Sequence, residues 1–396
     1  MLASKNRGPI NAGVVAVGTL PPPHDGQSVA FEMLARHLST TWGRFEIIDV
    51  SIRGAGSAEA GTTGRGRAYV LGLHALVRAL ARQRGDPMYL TIAQSLRGFL
   101  RDAAFISVAR LFRSPVICHL HGGNYGAFFD SQNRLVRTLI RFFLRRASAI
   151  LILGDSLRAM FEFDPILQAR LWVVPNAVPP DIPIARDPRT LRLAGGARPQ
   201  LLYLSNLVES KGYFTVLESV ARLAEEYGLE AEVHFCGRFL TNPSDDRIVK
   251  SPDQARALFE REVERMGLSG SVTYHGSVSG AEKLDRLRRA DFLVLPTRYD
   301  NEGQPICILE AMAFGIPVIS TRYRAIPELI RDEETGYLVS PDSPGEIAKC
   351  ISHLWRRPDL YEQMSSNSLA MVHEKFEPHV HLARIDEVLK RFAKSA

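Results

Sequence analysis

Short apolar runs and amphipathic stretches alternate along this chain, in two successive series. The first run, Gly13–Gly18 (GVVAVG), reads as a strand and is followed by the Pro/Gly-rich loop TLPPPHDGQS. Val29, Met33 and Leu34 share one face of a helix predicted over Val29–Leu38, and Phe45–Val50 reads as the next strand. From Gly54 to Gly66 the residues are mostly Gly, Ala, Ser and Thr, which predicts a mobile loop near a ligand cleft. Further strands are expected at Val116–Leu120 and Ala149–Leu153. The proline-rich stretch from Val174 to Pro199 breaks the rhythm and is the best domain boundary. A second series then places strands at Leu201–Ser205, Glu232–Cys236, Val272–His275, Phe292–Pro296 and Pro317–Ser320. Strands alternating with helices predict parallel sheets covered on both faces. The expected domains are 1–180 and 181–379, with a last helix (about 380–396, strongest over His381–Lys394) returning to the first.

Composition narrows this only a little. A length of 396 residues fits two or three domains at roughly 150 residues each. With 45% hydrophobic and 23% charged residues, wholesale disorder is excluded. The net charge of +6 points to anionic partners, whether phosphates, nucleic acid or a membrane surface. No RRM, OB or helix-turn-helix pattern accompanies that charge, so nucleic acid is the weakest of the three. Cys118, Cys236, Cys307 and Cys350 lack CxxC spacing and read as reduced thiols. The N-terminal residues hold no continuous apolar core ending in a cleavage site, and no uncharged run approaches the ~20 residues of a membrane helix. A cytoplasmic protein, at most touching the inner face of a membrane, is expected.

Open doubly wound sheets bind ligands beyond the carboxyl ends of their strands, and the chain's polar motifs fall there. After the strand FLVLP comes YDNEGQPICILEAMAFG, Tyr299 to Gly315. Pro305 suits the first helical turn and Gly315 the C-terminal cap, giving a helix over Pro305–Phe314. Its N-terminus offers free N–H groups and a dipole favouring an anion, by up to ~2 kcal/mol in partly buried geometry. Glu302 precedes that helix and Glu310 lies within an apolar run, where an idle carboxylate is costly. The segment SNLVESKG, Ser205 to Gly212, follows the strand LLYLS and places Lys211 at the start of another helix, as a clamp for phosphates. HLHGG, His119 to Gly123, follows the strand VIC; a zinc site lacks further ligands nearby. His24-Asp25-Gly26-Gln27 follows the first strand and does not fit GxGxxG, so a nicotinamide site has no fingerprint.

The Glu302-x7-Glu310 segment, ending EAMAFGIPVIST, resembles the signature of the family-4 (group 1) glycosyltransferases. That resemblance implies an α/β protein of the GT-B fold: two Rossmann-like doubly wound domains facing each other across a cleft. It implies a retaining, metal-independent enzyme that needs no cofactor and moves a hexose from a nucleoside-diphosphate sugar. Glu302 then contacts the donor sugar and Glu310 the ribose, with Gly303, Gln304, Pro305 and Ile306 also on the donor. The SNLVESKG stretch is similar to the family's phosphate loop, with Lys211 on the diphosphate. Asn206 stands where the family often has Arg, so Arg238 or Arg298 is the candidate second cation. His121, or second His119, is expected near the sugar. Gly122, Gly123, Gly26 and Gln27 are expected in loops toward donor or acceptor. Val278, in the turn after VTYH, is expected near the base. UDP and GDP both remain compatible.

Arg134, Arg137, Arg141 and Arg145 form one stripe of a helix around 134–146, with Leu135, Leu139, Phe142 and Phe143 mostly opposite. Two readings stay open: contact with an anionic membrane, suiting a lipid-linked or polysaccharide-assembly acceptor, or an outer helix whose apolar side enters the core. Two rivals share the fold: a nucleotide-sugar epimerase, and a non-catalytic partner that binds nucleotide sugar.

Overall fold

The computed structural model describes residues 10–22, 25–51, 62–191 and 196–394; of 62–65 and 67 it describes the backbone alone. The chain divides into two compact units, residues 1–179 with 378–396, and residues 180–377. The last helix, Pro378–Phe392, thus belongs to the first unit.

The first unit holds β1 (Ile10–Gly18), β2 (Trp42–Asp49), β3 (Met88–Ile92), β4 (Val116–Leu120), β5 (Ala149–Ile152) and β6 (Leu171–Val173). They form one sheet in the order β2-β1-β3-β4-β5-β6, every pair parallel. The second unit holds β7 (Gln200–Leu204), β8 (Glu232–Cys236), β9 (Val272–Gly276), β10 (Phe292–Leu295), β11 (Val318–Thr321) and β12 (Gly336–Val339). Their order is β12-β11-β10-β7-β8-β9, again wholly parallel. Strands buried on both faces require continuous apolar runs, and β3, β4, β5, β10 and β11 are buried at every position. Chain order reverses between β1 and β3 in the first sheet and between β7 and β10 in the second. Connections diverge to opposite faces at such switch points and leave a crevice beyond the strand ends.

The returning helix packs Ile385, Val388 and Leu389 against Val14, Ala16, Phe31, Leu34 and Tyr89 of the first unit's core. Asp386 anchors it, accepting from Trp42 Nε1 at 2.8 Å and pairing with His37 Nε2 at 3.0 Å.

Several local expectations are corrected. Part of the loop expected over Gly54–Gly66 lies outside the described residues, and the remainder belongs to the helix Thr62–Arg82. His24 also lies outside them. The helix after β1 begins at Gly26, not Val29, because Asp25 caps it: its side chain accepts from Ser28 N while Ser28 Oγ accepts from Asp25 N. Gly26 and Gln27 are therefore helical rather than loop residues. Pro305 is the N-cap of its helix, in extended conformation (φ −62°, ψ 119°), and the helix proper is Ile306–Ala313. Gly315 does end it with φ +65°.

The largest correction concerns the arginine-rich helix, Arg134–Leu144. Its apolar side does not enter the core as a whole. Ile140 and Leu144 are buried, whereas Leu135 is 70%, Leu139 36% and Phe142 48% exposed. The arginine side takes part of the inward packing: the Arg141 and Arg137 guanidinium groups lie 4.7 and 5.6 Å from the ring centre of Phe129, itself stacked on Phe163. Aromatic faces attract guanidinium ions, so this pair holds the arginines and turns the leucines outward. Among the described residues no helix is long and apolar enough to cross a membrane.

Candidate functional site

In the second unit the switch-point strands β7 and β10 deliver two loops to one place. The β7 loop carries Lys211 in a 3-10 turn, Glu209–Lys211, that ends at Gly212. Gly212 adopts φ +81°, and a Cβ there would lie 2.5 Å from the Pro296 carbonyl oxygen. Only glycine allows this close approach of the β7 loop to the end of β10. The β10 loop carries Glu302. Lys211 Nζ and Glu302 Oε2 are 3.1 Å apart, with side chains 16% and 8% exposed. Thr297 Oγ1 donates to the same carboxylate oxygen at 3.2 Å, and the ammonium also lies 4.9 Å from the ring centre of Tyr299. Burial disfavours the charged ammonium, but the neighbouring Glu302 carboxylate and Cys307 outweigh it and hold the Lys211 pKa above the usual lysine range.

The β7 loop is braced from below. Glu209, buried, accepts the backbone N–H groups of Arg247, Ile248 and Val249 on one oxygen at 3.0, 2.7 and 3.1 Å. Arg298 is spent on the same bracing: it contacts Asp342, the Asp245 carbonyl and Glu209. Asn206 Oδ1 accepts from the Arg238 backbone N–H at 3.3 Å, so the residue in the usual arginine position ties down the β8 loop. The Arg238 side chain itself is exposed.

Glu310 sits one helix further. It is 5% exposed among Ile308, Leu309, Ala311 and Met312, all fully buried. Lys283 Nζ, from the helix Gly280–Arg289, reaches Glu310 Oε1 at 2.7 Å. Burial raises the Glu310 pKa, and the Lys283 charge and hydrogen bond oppose that rise. Gly303, Gln304 and Pro305 are buried between the two carboxylates, with Ile306 partly exposed. Val278 is half-buried in the turn after β9, near Gly276, which has φ +69°.

In the first unit the loop after β4 presents His121, Gly122 and Gly123. A Cβ on Gly122 would strike the Gln94 amide, whose Oε1 accepts the Asn124 N–H at 2.6 Å. His121 is one of three stacked histidines. The His119 ring lies 4.1 Å from that of His121 and 6.4 Å from that of His381. His119 is inside β4 with Nδ1 bonded to Tyr89 Oη at 2.6 Å, which makes it a core residue and removes it as a ligand contact. His381 Nδ1 donates to the Pro175 carbonyl at 2.6 Å. Burial, together with the neighbouring His381, pushes the His121 pKa down to about 3, against an opposing hydrogen bond from Asn176. Burial likewise lowers His381 to about 4. His121 is thus a neutral imidazole able to hydrogen-bond a hydroxyl without carrying charge.

Sequence reasoning missed Lys283, Glu209, Thr297, Gln94 and His381. AEKLDRLRR reads as a solvated helix face, and only its position after the β9 turn hinted at Lys283.

Fold and site together define a doubly wound α/β protein of the GT-B fold. The sucrose-phosphate synthase of Thermosynechococcus elongatus superposes with a TM-score of 0.71 at 16% identity, covering 96% of this chain and 99% of that one. HepE of Anabaena, solved in complex with UDP, gives 0.68 at 15% identity, covering 96% and 100%. Residues 192–371, within the second unit, match the family model described as glycosyl transferases group 1. Alpha-D-kanosaminyltransferase of Streptomyces kanamyceticus is 24% identical over 281 residues, 68% of each chain. The amylovoran biosynthesis glycosyltransferase AmsK of Erwinia amylovora is 28% identical over 181 residues, and that match spans 44% of each chain. The putative colanic acid biosynthesis glycosyltransferase WcaL of Escherichia coli is 29% identical over 179 residues, 44% of this chain and 42% of the relative. This chain thus spans less than half the length of the last two.

The histidine stack has a pH signature. Unfolded histidines bind protons below about pH 6.5. His119, His121 and His381 resist protonation in the fold, so below that pH the unfolded chain binds more protons than the folded one. Their contribution is therefore complete above about 6.5 and drains as pH falls toward 4. The melting temperature should fall over that window, and His381→Phe should flatten the fall. An unchanged slope in the variant would show that the stack carries no such linkage.

Proposed function

We propose that this protein is a retaining glycosyltransferase that moves a hexose from a nucleoside-diphosphate sugar to a lipid-linked or polysaccharide-assembly acceptor. The observation that carries this reading is the Lys211–Glu302 pair at the switch point of the unit that matches the group 1 glycosyltransferase family model. An ammonium has three donors, so Lys211 can keep Glu302 in place and still hold a diphosphate oxygen. The backbone N–H groups at the start of the helix Ile306–Ala313 supply further anion donors. Glu302 accepts from sugar hydroxyls and Glu310 from the ribose. His121, neutral, bonds the sugar near its reacting carbon. The acceptor oxygen bonds to the anomeric carbon on the face that the phosphate leaves. The C–O bond to phosphate breaks, its electron pair goes to the diphosphate, and the acceptor's proton passes to that same leaving group. Lys211 stabilises the charge that develops, a kind of contact whose loss costs roughly 10²–10³ in rate. No metal or cofactor is assigned a role. The names of two relatives, an amylovoran biosynthesis and a putative colanic acid biosynthesis glycosyltransferase, support the acceptor class.

A membrane-facing role for the helix Arg134–Leu144 belongs to this reading. Leu135, Leu139 and Phe142 recur at helical spacing on its exposed face, beside exposed Arg134 and partly exposed Arg146. Apolar side chains that enter an interface beside cations fit an anionic leaflet, each cation adding about 1 kcal/mol.

Two outcomes are expected. Glu310→Gln weakens nucleotide binding, whereas His121→Ala leaves it near normal and slows transfer about 10²-fold, read as nucleoside diphosphate released per acceptor glycosylated. Equal loss of nucleotide affinity in both would undo the division of roles, and nucleotide sugar converted without any acceptor would favour the epimerase. In flotation, the protein rises with phosphatidylglycerol vesicles at low salt but not with phosphatidylcholine. Leu135→Glu with Phe142→Glu abolishes this; flotation unaffected by the double change contradicts the membrane assignment.

A further inference from the structure

We propose that Lys283 is a positioning residue for nucleotide recognition, holding one oxygen of Glu310 so that the other is presented, as an ionised acceptor, to a ribose diol. This rests on the reading of Glu310 as the ribose contact.

Glu310 stands in an environment that suits a carboxyl group poorly. It projects from an eight-residue helix whose other side chains are apolar and mostly buried. A carboxyl group in such surroundings takes up a proton unless a counter-charge reaches it. As a neutral acid it would have one hydroxyl hydrogen to donate and a weaker acceptor oxygen. A vicinal diol, with two hydroxyl donors, is better met by a carboxylate. Lys283 supplies the counter-charge at 2.7 Å through Oε1, with its own side chain 18% exposed. Among the described residues no donor meets Oε2. The lysine thus does two things at once: its charge favours the ionised carboxylate against burial, and it fixes the carboxylate's rotation about its terminal bond. Asp181 adds negative charge nearby, which makes the cation more necessary.

The geometry also explains an otherwise odd feature of the helix Gly280–Arg289. Its remaining basic residues Arg286, Arg288 and Arg289 lie in the last turn, where cations are favoured by the dipole. Lys283 lies in the first part of the helix, where a cation is disfavoured, and pairs with a buried carboxylate. A surface-solubility role does not account for that placement.

The test uses full-length protein and two probes, UDP and 2′-deoxy-UDP (GDP and 2′-deoxy-GDP if UDP does not bind), measured by calorimetry at pH 8 and pH 6. The ratio of the two affinities cancels ionisation of the phosphates and reads the ribose contact alone. Wild type is expected to favour the ribonucleotide about tenfold, the worth of one hydrogen bond to a charged group. In Lys283→Met the preference should shrink, and shrink further at pH 6 than at pH 8, because an unpaired Glu310 takes up a proton at higher pH. Lys283→Arg should restore it in part. If Lys283→Met keeps a full, pH-independent preference, the inference is overturned. Glu310→Gln separates the two levels: if it too leaves the preference intact, Glu310 is not the ribose contact and the underlying reading fails instead. A circular dichroism melt of each variant identifies any that does not fold, in which case Lys283→Gln replaces Lys283→Met.

Discussion

The contact between Lys211 and Glu302 joins the loops leaving β7 and β10, the two strands between which the second sheet changes direction. Neither charge is stable in its setting alone. With side chains 16% and 8% exposed, each would lose much of its hydration, and removing one partner of such a pair typically costs about 3–5 kcal/mol. The pair is possible only because Gly212 lets the backbone pass within van der Waals distance of Pro296, and because Glu209 gathers three backbone N–H groups to hold the β7 loop from beneath. Loop, brace and ion pair form one prearranged structure. A ligand anion arriving there meets a cation already fixed in position, which is what stabilisation of a charged leaving group requires.

The first unit solves a related problem with neutral groups. Its returning helix, Pro378–Phe392, brings His381 to the Pro175 carbonyl and to the His119–His121 stack. Asp386 fixes the same helix to Trp42 and His37. The helix Pro378–Phe392 thereby sets the surroundings of a loop that begins at residue 121. Keeping these imidazoles neutral removes charge from the β4 loop of the first unit.

Much of the architecture was legible because parallel strands buried on both faces need unbroken apolar runs. GVVAVG, VICHL and FLVLP announce β1, β4 and β10, and PNAVPPDIP announces the change of unit. Shorter or mixed strands such as Leu171–Val173 and Gly336–Val339 carry too little pattern to stand out. The carboxylates of the EGQPICILE segment were also legible, since Glu310 breaks an apolar helix. Partners brought in by tertiary structure were not. Lys283 lies 27 residues before Glu310 on a helix that looks solvated, and His381 meets Pro175 across more than 200 residues. For the arginine helix, which left two readings open, the outward leucines have a physical reason. Apolar spacing taken alone turns leucines inward, but the stacked Phe129 and Phe163 attract guanidinium groups strongly enough to reverse part of that rule.

On the proposed function, the second unit holds a nucleoside diphosphate at Lys211. Calorimetric titration with UDP, GDP, ADP and their hexose conjugates tests it most directly, with Lys211→Ala as the control. Selective binding of one nucleoside diphosphate and its sugar conjugate is expected, lost in the variant although the variant stays folded. Binding that survives unchanged in Lys211→Ala, or no binding of any of these nucleotides by well-folded wild-type protein, would contradict it.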